Sequence, residues 1–242
     1  MDSKRSKLSG IKLRILIIAL VLVLALLTLF IVWATVVWDY TVAKIAETSI
    51  SKREMEMFVS ANKGYVQSEL MIKYSLEPSA FDWNARYGDV VAKDYLINYC
   101  LQNAVKIKVV QRYCKEYKIA DDIDFKYYQN KYEQYLEKNG DYGANTMNIY
   151  SYYNAQISQQ KALLERYLQQ NVFKTGEAEG REYWQMKKEQ SDNPEEFAPF
   201  ENDPQNWINA AASYAIENWF TEQEQAAKSQ ISVLSGMKFV KI

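Results

Sequence analysis

The longest apolar pattern in the chain runs from Ile15 to Trp38, "ILIIALVLVLALLTLFIVWATVVW", uncharged from end to end and flanked by Arg14 and Asp39. At about 24 residues it exceeds the roughly 20 that a helix needs to cross a bilayer. It predicts a transmembrane helix over 15–38. A cleaved signal peptide is the rival reading, but the apolar stretch is longer than the 7–15 or so of a signal core, and no small-x-small site follows it. Trp33 and Trp38 suit an aromatic belt at the outer interface. Ahead of the span, Lys4, Arg5, Lys7, Lys12 and Arg14 face only Asp2, a net +4 out of the chain's −1, so residues 15–242 carry −5. The positive-inside rule then keeps residues 1–14 in the cytoplasm and places 39–242 outside.

Beyond the span the pattern changes twice. "VAKIAETSISKREMEMF" begins with a short alternation, Val42–Ala46, that reads as a strand, then a polar turn. Ser51 and Glu54 follow at the spacing of a capping box, in which Ser51 accepts from the Glu54 amide and the Glu54 carboxylate returns to the Ser51 amide. From there the apolar period is mostly 3.6. Met55, Phe58, Ala61 and Tyr65 space a first helix that fades before Pro78. A long second helix over about Val90–Tyr117 carries Ile97, Leu101, Ala104, Val105 and Tyr113. A third starts at Asp121, Asp122 and Asp124 and stops near Gly140. A fourth, about Met147–Phe173, aligns Ile149, Tyr153, Ile157, Leu164 and Leu168. Thr175 is placed to cap a short fifth helix that tolerates Gly180. After a Pro/Asn/Asp loop, Asp203 and Pro204 read as N-cap and N1 of a last helix with Ile208, Ala212, Ala215, Trp219 and Ala226 on one face. It is expected to end near Leu234, with Gly236 in the left-handed position after it.

The chain closes with "MKFVKI", a second alternating segment. Val42–Ala46 is therefore expected to pair with Phe239–Ile242, joining the two ends of the extracytoplasmic part, with Trp219 and Phe220 packing the last helix across the first and second. Frayed ends are the alternative. The fold class is mainly α: a transmembrane helix, then an all-helical domain with a small two-stranded sheet. Only 8 Gly and 4 Pro in 242 residues agree with it, since a sandwich or barrel needs more turn residues.

Three segments resemble the N-terminal chaperone domain of SurA- and PrsA-type foldases, the extracytoplasmic folding factors of bacteria. "VAKIAETSISKREMEMFV" is similar to that domain's opening strand, turn and helix. "YKIADDIDF" resembles its "GI-x-V-[ST]-D-x-E-[IV]" element, and "LLERYLQQNVFKTGEAEGREYW" resembles its "K-L-x-x-x-[VI]-T-x-x-E-[VI]-x-x-Y-Y" run. The resemblance implies a SurA-N-like helical domain over most of Val42 to Ile242 and binding of unfolded polypeptides. The parvulin prolyl isomerase module of such foldases has no place here. It uses histidines, and this chain has none; the stretch between the fifth and last helices, about Gln190 to Asn206, is far below the roughly 50 residues of a domain. No Cys follows the apolar run to carry a lipid, so the helix itself is the expected anchor.

Absence of His also removes Ser-His-Asp and Cys-His nucleophile arrangements and the common zinc sites, and no Gly-rich phosphate loop is present. Glu195 with Glu196 and Asp121 with Asp122 are adjacent acids of the solvated or capping kind. Asp121, Asp122 and Asp124 lack the Gly and Glu of a calcium loop. No catalytic residue, metal or cofactor is expected, and the chain is read as a non-enzyme. Lys and Arg are mixed with Asp and Glu throughout, so no nucleic-acid footprint stands out. Cys100 and Cys114 fall fourteen residues apart on the predicted second helix, about 21 Å by helical rise, beyond the roughly 7 Å a disulfide tolerates. They read as buried free thiols.

Binding remains. With 19 Tyr, 6 Trp and 9 Phe, the chain places aromatic and thioether groups on more than one helix face. Met55, Phe58, Tyr65, Tyr127, Tyr128, Tyr132, Tyr135, Tyr150, Tyr152 and Tyr153 are the candidate client-binding residues, because Tyr combines contact area with a polar tip and Met repacks around varied partners. A tyrosine stripe also serves as the core of a polar helical domain. The expected function is a single-pass, membrane-anchored, extracytoplasmic holdase for unfolded or secreted polypeptides, with the lipid bilayer as a partner through 15–38 and no nucleic-acid partner. The alternative is a non-catalytic subunit docking one partner in a membrane or secretion complex.

Overall fold

The structure, a computed structural model, describes residues 20–30, 39–139 and 147–242. The chain divides into two units, Met1–Tyr40 and Thr41–Ile242. In the first, residues 20–30 form helix α1, whose large apolar side chains are all exposed, Leu20 at 61% and Phe30 at 55% among them. Residues 15–19 and 31–38 of the predicted span lie outside the described residues. Among the described residues no helix is long and apolar enough to cross a membrane.

The second unit is mainly helical with small sheets. Strand β1, Thr41–Ile45, turns through Ala46 and Glu47 into β2, Thr48–Ser51. Ala46 sits at a left-handed φ of 52°, the sign a two-residue hairpin requires. This hairpin corrects the sequence reading, which took Thr48–Ser51 for a turn. Thr48 and Ile50 are buried and alternate with exposed Ser49. They lie opposite Ile45 and Ala43.

Helix α2, Lys52–Tyr74, starts where Ser51 Oγ accepts from the Glu54 amide at 3.2 Å, so the cap forms as its spacing predicts. A short ribbon follows, β3 (Arg86–Tyr87) with β4 (Val90–Val91). Its turn uses Gly88 at φ 57°, where a Cβ would lie 2.9 Å from the Tyr74 ring. Helix α3, Ala92–Glu116, is buried on several sides; Lys108, Val109, Val110 and Gln111 are consecutive buried positions. It packs on α2, α5 (Ile149–Asn171) and α7 (Pro204–Lys228) and keeps one stripe, Asp94, Asn98, Gln102 and Lys106, exposed. Helix α4, Phe125–Asn139, lies on α5.

Helix α6, Glu177–Glu189, begins at Gly176, whose amide donates to the Glu179 carboxylate at 2.8 Å. Thr175, expected as the cap, donates its hydroxyl instead to the Ile208 carbonyl of α7 at 3.2 Å. Gly180 is what lets α6 and α7 approach: a Cβ there would meet Ile208 Cγ1 at 2.7 Å and its backbone at 3.0 Å. At the start of α7, Asp203 accepts from the Asn206 amide and Pro204 occupies the first turn, as its sequence implies.

The end of α7 overturns the expected strand pair. The helix stops at Lys228, and Ile231–Val233 becomes β5, pairing antiparallel with β1 to complete the sheet order β2-β1-β5. Phe239–Ile242 does not pair with Val42–Ala46. Phe239 ends a 3-10 turn, Ser235–Phe239, which contains Gly236, and this segment buries Met237. Val240 is also buried, and the Lys241 amide donates to Glu56 at 3.1 Å. The ends of the unit therefore meet, by a strand that starts eight residues earlier than expected, at Ile231 rather than Phe239. An early helix end brings β5 level with β1 and leaves the last residues free to pack on α2. Smaller corrections follow the same logic. The buried face of α2 is Met55, Phe58, Val59, Val66 and Leu70, with Ala61 and Tyr65 exposed; on α7 it is Ala212, Ile216, Phe220 and Ala227, with Ala226 exposed. The last helix packs on α6, α3 and α5.

Glu54 does not complete its capping box. Its carboxylate turns inward to Lys108 Nζ at 2.8 Å, and accepts from the Tyr153 hydroxyl at 2.6 Å; the Gln111 amide donates to that hydroxyl at 2.9 Å. Both charged side chains are about 1% exposed. Removing one partner of such a pair strands the other charge in the core. Lys108→Met is expected to lower stability by about 3–5 kcal/mol, read as a lower denaturant midpoint at unchanged slope. Gly180→Ala is expected to lower it by about 1–3 kcal/mol through overpacking against Ile208, measured in the same titration.

Candidate functional site

Two arrangements in the second unit bring chemistry-bearing side chains together. One is the sealed network of Glu54, Lys108, Tyr153 and Gln111. Burial, reinforced by the Glu54 charge, pushes the Tyr153 hydroxyl well above its ordinary value of 10. Tyr128, donating to Gln160 at 2.9 Å, is pushed up to about 12, chiefly by burial. These groups touch one another and no open surface, so the network holds α2, α3 and α5 in register.

The other is a groove of about 810 Å³ bounded by α3, α5 and α7. Its apolar depth comes from Val110 of α3, Ile157 of α5, and Ile216 and Phe220 of α7, each at least nine-tenths buried. The helical period that buries Ile157, Leu164 and Leu168 turns the intervening Ser158, Lys161, Ala162 and Glu165 towards the groove. The rim carries both signs. Lys161 and Arg166 stand on α5 and Lys106 on α3, while Glu217 and Glu224 stand on α7. Lys161 pairs with Glu165 at 3.0 Å and lies 5.1 Å over the Phe220 ring, tying α5 to α7 across the groove. Such a surface offers mainly polar contact along its edges, over a narrow apolar floor of which little is exposed. It contains no nucleophile paired with a base.

The sequence-predicted binding residues lie elsewhere. Met55, Phe58, Tyr128 and Tyr153 are at most 2% exposed. Phe58 and Tyr128 pack against Tyr153 at ring distances of 6.1 and 4.9 Å. Buried in this way they offer no surface to a client, which corrects their assignment. Tyr150 sits edge-on to Phe58, and Tyr127 edge-on to Tyr128. Tyr132, Tyr135 and Tyr152 form a half-buried slab with rings 5.2–6.2 Å apart. Tyr132 donates to the Met147 carbonyl at 2.9 Å and Tyr135 accepts from its amide at 3.5 Å, so the slab fastens the start of α5 to α4. Tyr65 alone is well exposed, its ring tilted against that of Tyr99 at 5.4 Å. The groove residues were missed because Ile157 and Phe220 read as ordinary core positions. Their only further signal was the seven-residue spacing of Glu217 and Glu224, which places both on one face of α7.

Cys100 and Cys114 are free and buried on one continuous helix, as their spacing predicts. Burial pushes both thiols from 9 up to about 12. No metal-holding cluster of acids and thiols exists among the described residues. Compared with family models, curated proteins and solved structures, the chain has no significant match.

Raised folded values favour the neutral forms. Their stabilisation is complete below about pH 9, where the unfolded thiols begin to ionise, and is lost as pH rises towards 12. Urea midpoints of the full chain are therefore expected to fall between pH 8 and 11, and both thiols to stay unreactive to a disulfide reagent at pH 8 until denaturant is added.

Proposed function

We propose that the chain is a membrane-anchored extracytoplasmic polypeptide-binding protein, a holdase related in design to the SurA- and PrsA-type foldases, which cradles unfolded or emerging segments without isomerising prolyl bonds. The observation that carries this reading is the groove between α3, α5 and α7. Its 810 Å³ lies within the roughly 300–1,000 Å³ of ligand-binding clefts, and its apolar depth with a mixed-charge rim suits short segments of many sequences. From Ile157 to Gln169 the α5 wall runs about 18 Å by helical rise, the length of five or so extended residues. The order of elements supports the family likeness: an N-terminal strand, long helices, an α6 and α7 hairpin, and a closing strand beside the first. The α6 to α7 connection holds two 3-10 turns packed by Phe197 and Phe200 on Trp184, with no further domain in it. For the anchor, the support is the uncharged run over 15–38 and the exposed surface of α1, apolar but for Thr28, whose hydroxyl donates to the Ala25 carbonyl. A helix apolar all round needs an apolar environment.

The test uses the full chain in lipid nanodiscs at stoichiometric ratio with two unrelated unfolded proteins, citrate synthase and rhodanese. Suppressed aggregation of both supports the holdase. Failure with both, while a single native partner co-purifies, makes the chain a dedicated complex subunit instead. Ser158→Trp with Ser213→Trp fills the groove from two exposed positions. It is expected to weaken client binding about tenfold, or ~1.4 kcal/mol, with little change in melting temperature.

A further inference from the structure

The sheet has an open side. The Leu234 amide donates to the Val42 carbonyl at 2.9 Å and the Ala46 amide to the Gln230 carbonyl at 3.3 Å. Between them Ala43 lies opposite Val233, Lys44 opposite Ser232, and Ile45 opposite Ile231. Bonded and non-bonded pairs alternate along an antiparallel ladder. Lys44 and Ser232 are therefore the bonded pair, and the N–H and C=O groups of Ile231 and Val233 turn away from β1. Among the described residues no strand lies beyond β5. The edge thus presents two donors and two acceptors at the spacing of an extended main chain.

Natural sheets blunt such edges with lysine, proline, a bulge or a covering element. From Ser229 to Met237 the sequence "SQISVLSGM" contains no charge and no proline. Val233 is 53% exposed and Leu234 37%. The strand is β-branched, uncharged and uncovered at its tip.

We propose that β5 is a docking edge for an extended, uncharged polypeptide segment, which adds as a fourth strand with its main chain bonded to Ile231 and Val233. This inference rests on the polypeptide-binding reading and deepens it. The groove takes side chains, whereas the edge takes backbone and so tolerates many sequences. A second copy is the poorer occupant, because three residues of edge supply little of the roughly 1,200–2,000 Å² that a specific stable pair buries. An unfolded segment needs no such area from the edge alone, since the groove contributes separately.

The backbone geometry provides its own test. Val233→Pro removes an outward N–H and blocks an added strand, while the bonds of Ser232 and Leu234 to β1 stay in place; edge strands accept proline where the N–H faces solvent. Val233→Thr keeps the N–H and the branched shape. With the full chain in nanodiscs and reduced, alkylated lactalbumin as the probe, Val233→Pro is expected to weaken binding about tenfold and Val233→Thr less than twofold. Amide exchange at Ile231 and Val233 of the wild type is expected to slow when the probe binds, a readout independent of how the proline variant folds. Equal binding by Val233→Pro, or unprotected amides in the bound state, overturns the edge and leaves the groove standing. A wild-type dimer that Val233→Pro makes monomeric, with probe binding unchanged, assigns the edge to a second copy and also overturns it. No probe binding by the wild type overturns the polypeptide-binding reading and this inference together.

Discussion

The second unit is organised around one buried ion pair. Glu54 and Lys108 meet at 2.8 Å with about 1% of either side chain exposed. Each charge costs several kcal/mol to desolvate, and the pair survives only with close geometry and further hydrogen bonds. Tyr153 and Gln111 supply them. The four side chains come from α2, α3 and α5, so the relative position of these helices is set to within hydrogen-bonding tolerance. Apolar packing alone permits more slippage, because a Leu or Val accepts many neighbours of similar shape. The Oε1 of Gln111 has no hydrogen-bond partner, consistent with its amide being oriented by the Tyr153 hydroxyl.

Fixing α3 and α5 has consequences further out. Helix α7 lies against both, and the space left between the three is the groove, floored by residues that are core by burial and flanked by charges that are surface by position. A groove between rigid helices keeps its shape without an occupant, which reduces the ordering cost of binding. The sheet is fixed by a different device. Its hairpin is local and closes at little entropic cost, and α7 then delivers β5 to its free side. The last residues are tied back to α2 through Glu56 and the buried Met237 and Val240.

Groove and edge are complementary in chemistry. One offers apolar depth and rim charges to side chains; the other offers main-chain hydrogen bonds that any extended segment satisfies. In strand addition generally, main-chain hydrogen bonds supply affinity and side-chain pockets supply specificity.

Much of the local structure was legible in the residues. Ser51 and Asp203 form the caps their spacing announces, Cys100 and Cys114 lie apart on one helix as their separation requires, and the helices of the second unit occur close to where the 3.6 period places them. These features depend on neighbours within about four positions, and sequence records such neighbours directly. What the sequence left open depends on partners far along the chain. Glu54 stands 54 residues from Lys108 and 99 from Tyr153, and no local pattern reveals that its carboxylate leaves the cap for the core. Tyr128 and Tyr132 have the same composition and nearly the same helix position, yet burial makes one core and the other part of a half-exposed clamp. Ile157 and Phe220 share the period of every buried stripe, and only the space left between α3, α5 and α7 makes them the floor of a groove. Periodicity specifies which face of a helix is apolar; tertiary packing alone decides what that face meets.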